Sequence, residues 1–140
     1  MENKIYKPLI GKMFYAISIP TALLLIAVTI TAVYAPVALL IMIPTDLFTL
    51  YFIISPLFGK VTLTEEGIVV KFGFFATRIV PYSHIRSLEK VRKWYSDSMM
   101  SLKNSMEHVN IKYNRFDIVS VSVTDNDGFI ADVNSRIKKQ

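Results

Sequence analysis

Residues 61–91 read VTLTEEGIVVKFGFFATRIVPYSHIRSLEKV, short runs rich in Val and Ile cut by turn residues. VTLT is followed by Glu65-Glu66-Gly67, IVVKFG by Phe74-Phe75-Ala76-Thr77, and RIVPY by Ser83, which can start a tight turn before Ile85. Runs of this length with these boundaries predict antiparallel strands in a hairpin or meander. Further on, HVNIKY sets Val109, Ile111 and Tyr113 against Asn110, Lys112 and Asn114. DIVSVSV then alternates valines with Ser120 and Ser122, after a turn at Asn114-Arg115-Phe116. From Thr124 the apolar period changes from 2 to 3.6, and Phe129, Ile130, Val133 and Ile137 form one stripe of a helix. Thr124 and Asp127 have the spacing of a capping box, and Lys138 and Lys139 fall where a helix dipole favours cations. An antiparallel sheet closed by one C-terminal helix is the expected result.

The residues before this stretch have a different character. Residues 13–59 carry a single charge, Asp46, whereas residues 60–140 hold 13 Lys/Arg and 9 Asp/Glu, a net of +4. The chain divides accordingly into residues 1–59, suited to lipid, and residues 60–140, suited to water. Met13 to Val33 and Val37 to Phe58 are each long enough to span about 30 Å of hydrocarbon at 1.5 Å per residue. Pro36 separates them, and one continuous helix would overshoot the bilayer, so a helical hairpin is expected. A cleaved signal peptide is the rival reading, given Lys4, Lys7 and Lys12 ahead of the apolar run and Val33-Tyr34-Ala35 after it. The proline after that site and the length of the run argue against it. With both helices retained, the lysines on either side of the hairpin place both termini in the cytoplasm by the positive-inside rule. The expected location is the bacterial cytoplasmic membrane, as a multi-pass protein. Tyr15, Tyr34, Tyr51, Phe52 and Phe58 are candidate interfacial anchors.

Asp46 lies near the middle of the second helix, after Pro44 and Thr45. A charged residue there costs about 2.5 to 3.5 kcal/mol on a translocon scale, so it calls for a partner. In a hairpin turning near residue 35, its level matches Thr21 to Leu25, which makes Thr21 or Ser18 the expected hydrogen-bond partner and helix adhesion one role. The other role is a contact, through Asp46, Pro44 and Thr45, with a second membrane-embedded molecule. A proton relay is disfavoured because the apolar region offers no second ionisable group.

The strand phrases, taken in order, resemble the bacterial pleckstrin-homology-like (PH-like) domains that follow membrane helices in many small bacterial proteins. The resemblance rests on Thr64-Glu65-Glu66-Gly67, the Gly73-Phe74 turn, Val80-Pro81-Tyr82-Ser83-His84-Ile85, the strands VNIKY and DIVSVSV, and the closing FIADVNSRI. It covers about residues 60–138. The chain departs from the family at Val123-Thr124-Asp125, where Ser-Pro is frequent. The resemblance implies a strongly bent antiparallel sheet plugged by a C-terminal helix, an α+β domain behind the hairpin. Inositol phosphate recognition is not implied, because the turns at 64–67 and 73–76 lack the basic residues that grip phosphates.

No enzyme is expected, and no cofactor. The chain has no cysteine, which excludes disulfides, thiolate zinc sites and cysteine nucleophiles. His84 and His108 are too isolated for a metal site, and no serine sits in a nucleophile elbow. A basic and aromatic segment runs through Arg86, Lys90, Arg92, Lys93, Trp94, Tyr95, Met99 and Met100. It reads either as a surface for anionic lipid or a protein partner, or as a long connection whose apolar residues cover the sheet edge. Nucleic acid is disfavoured, since acids interrupt the basic residues. Two functions follow. Small membrane-anchored proteins with this domain include bacteriocin immunity factors, so the resemblance allows self-protection against a membrane-active bacteriocin, met directly or through its membrane receptor. The alternative is a cell-envelope binding module that recruits a partner through residues 86–106.

Overall fold

The computed structural model describes residues 2–99 and 101–139. The apolar region forms two helices, α1 (Lys12–Ala32) and α2 (Pro36–Ile54), the second continued by a 3₁₀ turn at Ser55–Phe58. Pro36 occupies the first turn of α2, where its missing N–H costs nothing. Pro20 and Pro44 lie inside α1 and α2. Lys12–Ala32 and Pro36–Phe58 are both long and apolar enough to cross a membrane. Ala32 is the one buried residue of the two helices. Side chains such as Leu24 and Ile41 are 64% and 72% exposed, so protein does not cover these helices as it would the core helix of a soluble fold.

The strands make two four-stranded sheets. The first has β1 (Lys4–Tyr6), β2 (Lys60–Leu63), β3 (Gly67–Lys71) and β4 (Thr77–Pro81) in sequence order. The second has β5 (Ile85–Arg92), β6 (Ser101–Leu102), β7 (Glu107–Tyr113) and β8 (Asp117–Val121), in the order β5-β7-β8-β6. A 3₁₀ turn at Tyr82–His84 carries the chain from one sheet to the other, where Ser83 leads the sequence to expect a turn. The helix α3 (Asn126–Ile137) buries Phe129 and Val133 in a core built from Leu63, Ile68, Val80, Ile111 and Val121. Ile130 and Ile137 pack at its edge, completing the expected apolar stripe. This is the bent-sheet and C-terminal-helix architecture anticipated from residues 61–137.

Three details differ from the sequence reading. First, the N-terminal residues are not a free tail. Strand β1 pairs antiparallel with β2, Tyr6 opposite Val61, and further backbone bonds run from Leu9 N to Ser122 O and from Gly11 N to Asn104 O. Tyr6 is buried, meets Phe129 edge-on at 5.3 Å, and donates its hydroxyl to Asp132, which also pairs with Lys4. Second, α3 is capped by Asp125, whose carboxylate accepts from Gly128 N at 2.9 Å, and not by Thr124. The Thr124 N–H is committed to Lys7 O and so is not available to Asp127, as the reciprocal bond of a capping box requires. Third, both faces of β7 and β8 are covered. Asn110, on the polar side of the β7 alternation, is buried and bonded to Asp97 and Ser120, because the connection after β5 folds back over that face.

Because β1 fills the core with Tyr6, truncation there should resemble a large-to-small core change. The Tyr6→Ala variant is expected to lose about 3 kcal/mol of domain stability. Urea unfolding of the detergent-solubilised chain, followed by the fluorescence of Trp94, measures it.

Candidate functional site

Asp46 faces the first helix. Its Oδ2 accepts a hydrogen bond from Thr29 Oγ1 at 2.5 Å, and its Oδ1 is buried with no hydrogen-bond partner among the described residues. The expected partners are therefore wrong: Thr21 turns its hydroxyl back to Ile17 O in its own helix. The offset has a physical cause. Helical side chains lean toward the N-terminus of their own helix. In an antiparallel pair, Asp46 thus leans toward the hairpin turn and Thr29 leans away from it, which brings together residues that are not at matching distances from the turn. Stagger between the two helices takes up the rest.

Around this pair, Leu25, Ile26, Ile30, Val33 and Leu50 line a cleft of about 260 Å³ between the helices. The cleft walls are apolar except for Thr29 and Asp46, so the orphan oxygen is its one unsatisfied polar feature. The other two residues singled out with Asp46 do not join it. Thr45 is exposed and donates to Ile41 O, and Pro44, also exposed, leaves the Leu40 carbonyl without its usual helical donor. Their contribution is to the backbone of α2 rather than to the cleft.

The basic segment after Ile85 is dispersed by the fold. Arg86 donates to Arg115 O at 2.8 Å, Lys90 pairs with Asp127 at 2.9 Å, and Lys93 pairs with Asp97 at 3.2 Å. Arg86 and Arg92 have no ion pair among the described residues, and Arg92 lines a cleft with Lys12 and Met106 at the start of α1. Trp94 is 71% exposed and Met99 fully so, with Tyr95 edge-on to Trp94 at 5.6 Å. Met100 lies outside the described residues. The connection also covers the sheet, as the second reading has it. Leu102 enters the core, β6 extends the sheet edge beside β8, and Asp97 reaches Asn110.

Beneath this connection lies His108, fully buried, with Nδ1 donating to Met106 O and Nε2 without a partner. Burial holds its pKa below the ordinary 6.5, helped by Lys103 and Lys93 and opposed by the Met106 bond and Asp97. No group of His, Cys, Asp and Glu able to hold a metal occurs among the described residues.

A model of the bacterial PH domain matches residues 60–137, more than half of the chain. The chain belongs to the bacterial PH domain family. No curated protein and no solved structure is similar enough to match. PH-like domains are generally binding modules without catalytic chemistry, and they bind lipids or proteins. Here the PH domain also takes in β1, from outside the matched residues, so the hairpin is inserted between its first two strands.

Two outcomes test this geometry. Thr29→Val leaves both Asp46 oxygens without a donor and should weaken the hairpin by about 1 to 2 kcal/mol, whereas Thr21→Val should have no such effect. Unfolding in mixed detergent and SDS distinguishes them. For His108, the unfolded chain takes up a proton near 6.5 while the folded domain resists it. Domain stability should thus be full above that pH and fall as pH drops below it. Denaturant midpoints at pH 7.5 and 5 should show the fall, which His108→Gln should reduce.

Proposed function

We propose that this chain is a non-enzymatic, membrane-anchored PH-domain protein that protects its cell against a membrane-active bacteriocin. The hairpin crosses the cytoplasmic membrane, with both termini and the PH domain in the cytoplasm. The supporting observation is Asp46, whose carboxylate keeps one oxygen unpartnered in an apolar cleft open between two exposed apolar helices. An aspartate serving helix adhesion alone would be better satisfied, since an unmet polar group in hydrocarbon is costly. A cationic or hydrogen-bonding group on a peptide in the bilayer, or on its membrane target, would complete the site and be held there.

A second reading takes Trp94, Tyr95 and Met99 as the contact surface. Their exposure favours a cell-envelope module that recruits a protein partner, whereas the internal pairing of Lys90 and Lys93 weakens that surface as a lipid-binding patch.

The test is growth of a sensitive bacterium expressing the full chain, challenged with a panel of bacteriocins beside an empty vector and Asp46→Asn. Selective protection is expected, with the inhibitory concentration raised about tenfold, the factor that 1.4 kcal/mol of binding supplies. Asp46→Asn should abolish most of it. Absence of protection across the panel, with membrane expression confirmed, would overturn immunity in favour of partner recruitment.

A further inference from the structure

The turn joining β3 to β4 is a Phe-Phe tip seated against the end of the hairpin. Gly73 has φ 144°, a conformation that glycine adopts readily, and a Cβ there would collide with the Ser55 hydroxyl at the start of the 3₁₀ turn. From that seat, Phe75 stacks on Tyr51 of α2 with centroids 6.1 Å apart and planes 22° apart. Phe74 lies 4.8 Å from Phe58. Phe75 is nevertheless 86% exposed. Tyr51 and Phe58 belong to the Pro36–Phe58 apolar run, so the tip of the PH domain stands level with the end of a candidate membrane span.

Immediately on the sheet side of this tip lie three lysines. Lys71 ends β3 and is directly opposite Lys60 of β2. Lys7 is exposed and follows Tyr6, whose partner is Val61, so it comes next after the paired residues of β1, at the Lys60 end of β2. None of the three has an ion pair among the described residues, whereas Lys4, Lys90, Lys93 and Lys112 each hold a carboxylate. Like charges opposed across a ladder destabilise it. This row therefore costs stability unless anions from outside the chain meet it.

Aromatic rings at the helix end, then unpaired ammonium groups one step outward, follow the order in which a bilayer presents its interface and its phosphates. We propose that Phe74, Phe75 and the Lys7-Lys60-Lys71 row form an anionic-phospholipid contact that holds the PH domain against the membrane face. The rings enter the headgroup and acyl boundary, and the lysines meet the phosphates. The occupant is a lipid rather than free phosphate because the row is an open face continuous with an apolar tip. The proposal rests on the hairpin spanning a bilayer, and it uses a surface separate from residues 86–106.

The experiment uses the full chain in vesicles, with Trp94→Phe as background and an introduced indole as reporter. Leu47→Trp tests the hairpin: quenching by lipids brominated deep in the acyl chain confirms that it spans. Phe75→Trp tests the tip, with phosphatidylglycerol or phosphatidylcholine brominated near the headgroup. Quenching is expected to favour the brominated phosphatidylglycerol by roughly fivefold, the factor one lysine near an anionic surface supplies. Lys7→Gln, Lys60→Gln and Lys71→Gln together should erase the preference, without unfolding, since none of the three side chains has an ion pair to lose. If Leu47→Trp is quenched while Phe75→Trp is not, the lipid contact is overturned and the membrane reading stands. Equal quenching by the two lipids, unchanged in the triple variant, overturns the anionic site. If Leu47→Trp is not quenched, the membrane reading falls and the contact falls with it.

Discussion

The structure depends on the pairing of β1 with β2. Three residues of strand, Lys4–Tyr6, bring the start of the chain back to the segment that follows the hairpin. Both ends of the hairpin are thereby fastened to one sheet, with only a few residues between Tyr6 and α1 and between α2 and β2. A span of two helices attached through a single linker would let the domain swing. Fastened at both ends, and with Gly73 pressed on Ser55, the domain has little freedom to do so. The same strand supplies Tyr6 to the core, a useful addition in a domain whose size leaves a modest margin of stability.

Polar burial shapes the other sheet. His108, Asn110, Ser120 and Ser122 sit on the face of β7 and β8 away from the main core, under the connection that follows β5. Their hydrogen bonds go to Asp97, to one another, or to the backbone at Met106 and Glu107. A buried polar group without a partner costs about 1 to 3 kcal/mol, so this face constrains the connection in place of apolar packing. Asp97 serves twice, pairing with Lys93 as well as Asn110, and its carboxyl is held below the ordinary range chiefly by Lys93.

Much of this was legible in the sequence, for physical reasons that also mark where reading stops. Helix α3 and the strands around Ile68 and Val80 announce themselves by period, since one face of each is buried and the other more open. The burial of Asn110 and Ser120 is not legible in their alternation with apolar residues, because a long-range connection is what covers that face. Strand β1 is too short to show alternation, and its partner lies beyond two helices. The Asp46 anomaly was plain from composition alone. Its true neighbour, Thr29, was not, because counting residues from a turn ignores the lean of side chains and the stagger of helices. The cap of α3 is Asp125 rather than Thr124, whose N–H goes to Lys7, a long-range bond that no local pattern reveals.

The insertion of the hairpin between β1 and β2 also links the two halves of the chain energetically. Strand β1 leaves the ribosome first, but its partner follows two apolar helices later, and the register that joins them closes a loop from Tyr6 to Val61. The closure entropy of so long a loop falls if its interior is already folded back on itself. Pairing of the two helices therefore makes completion of the first sheet less costly, which couples the hairpin to the PH domain.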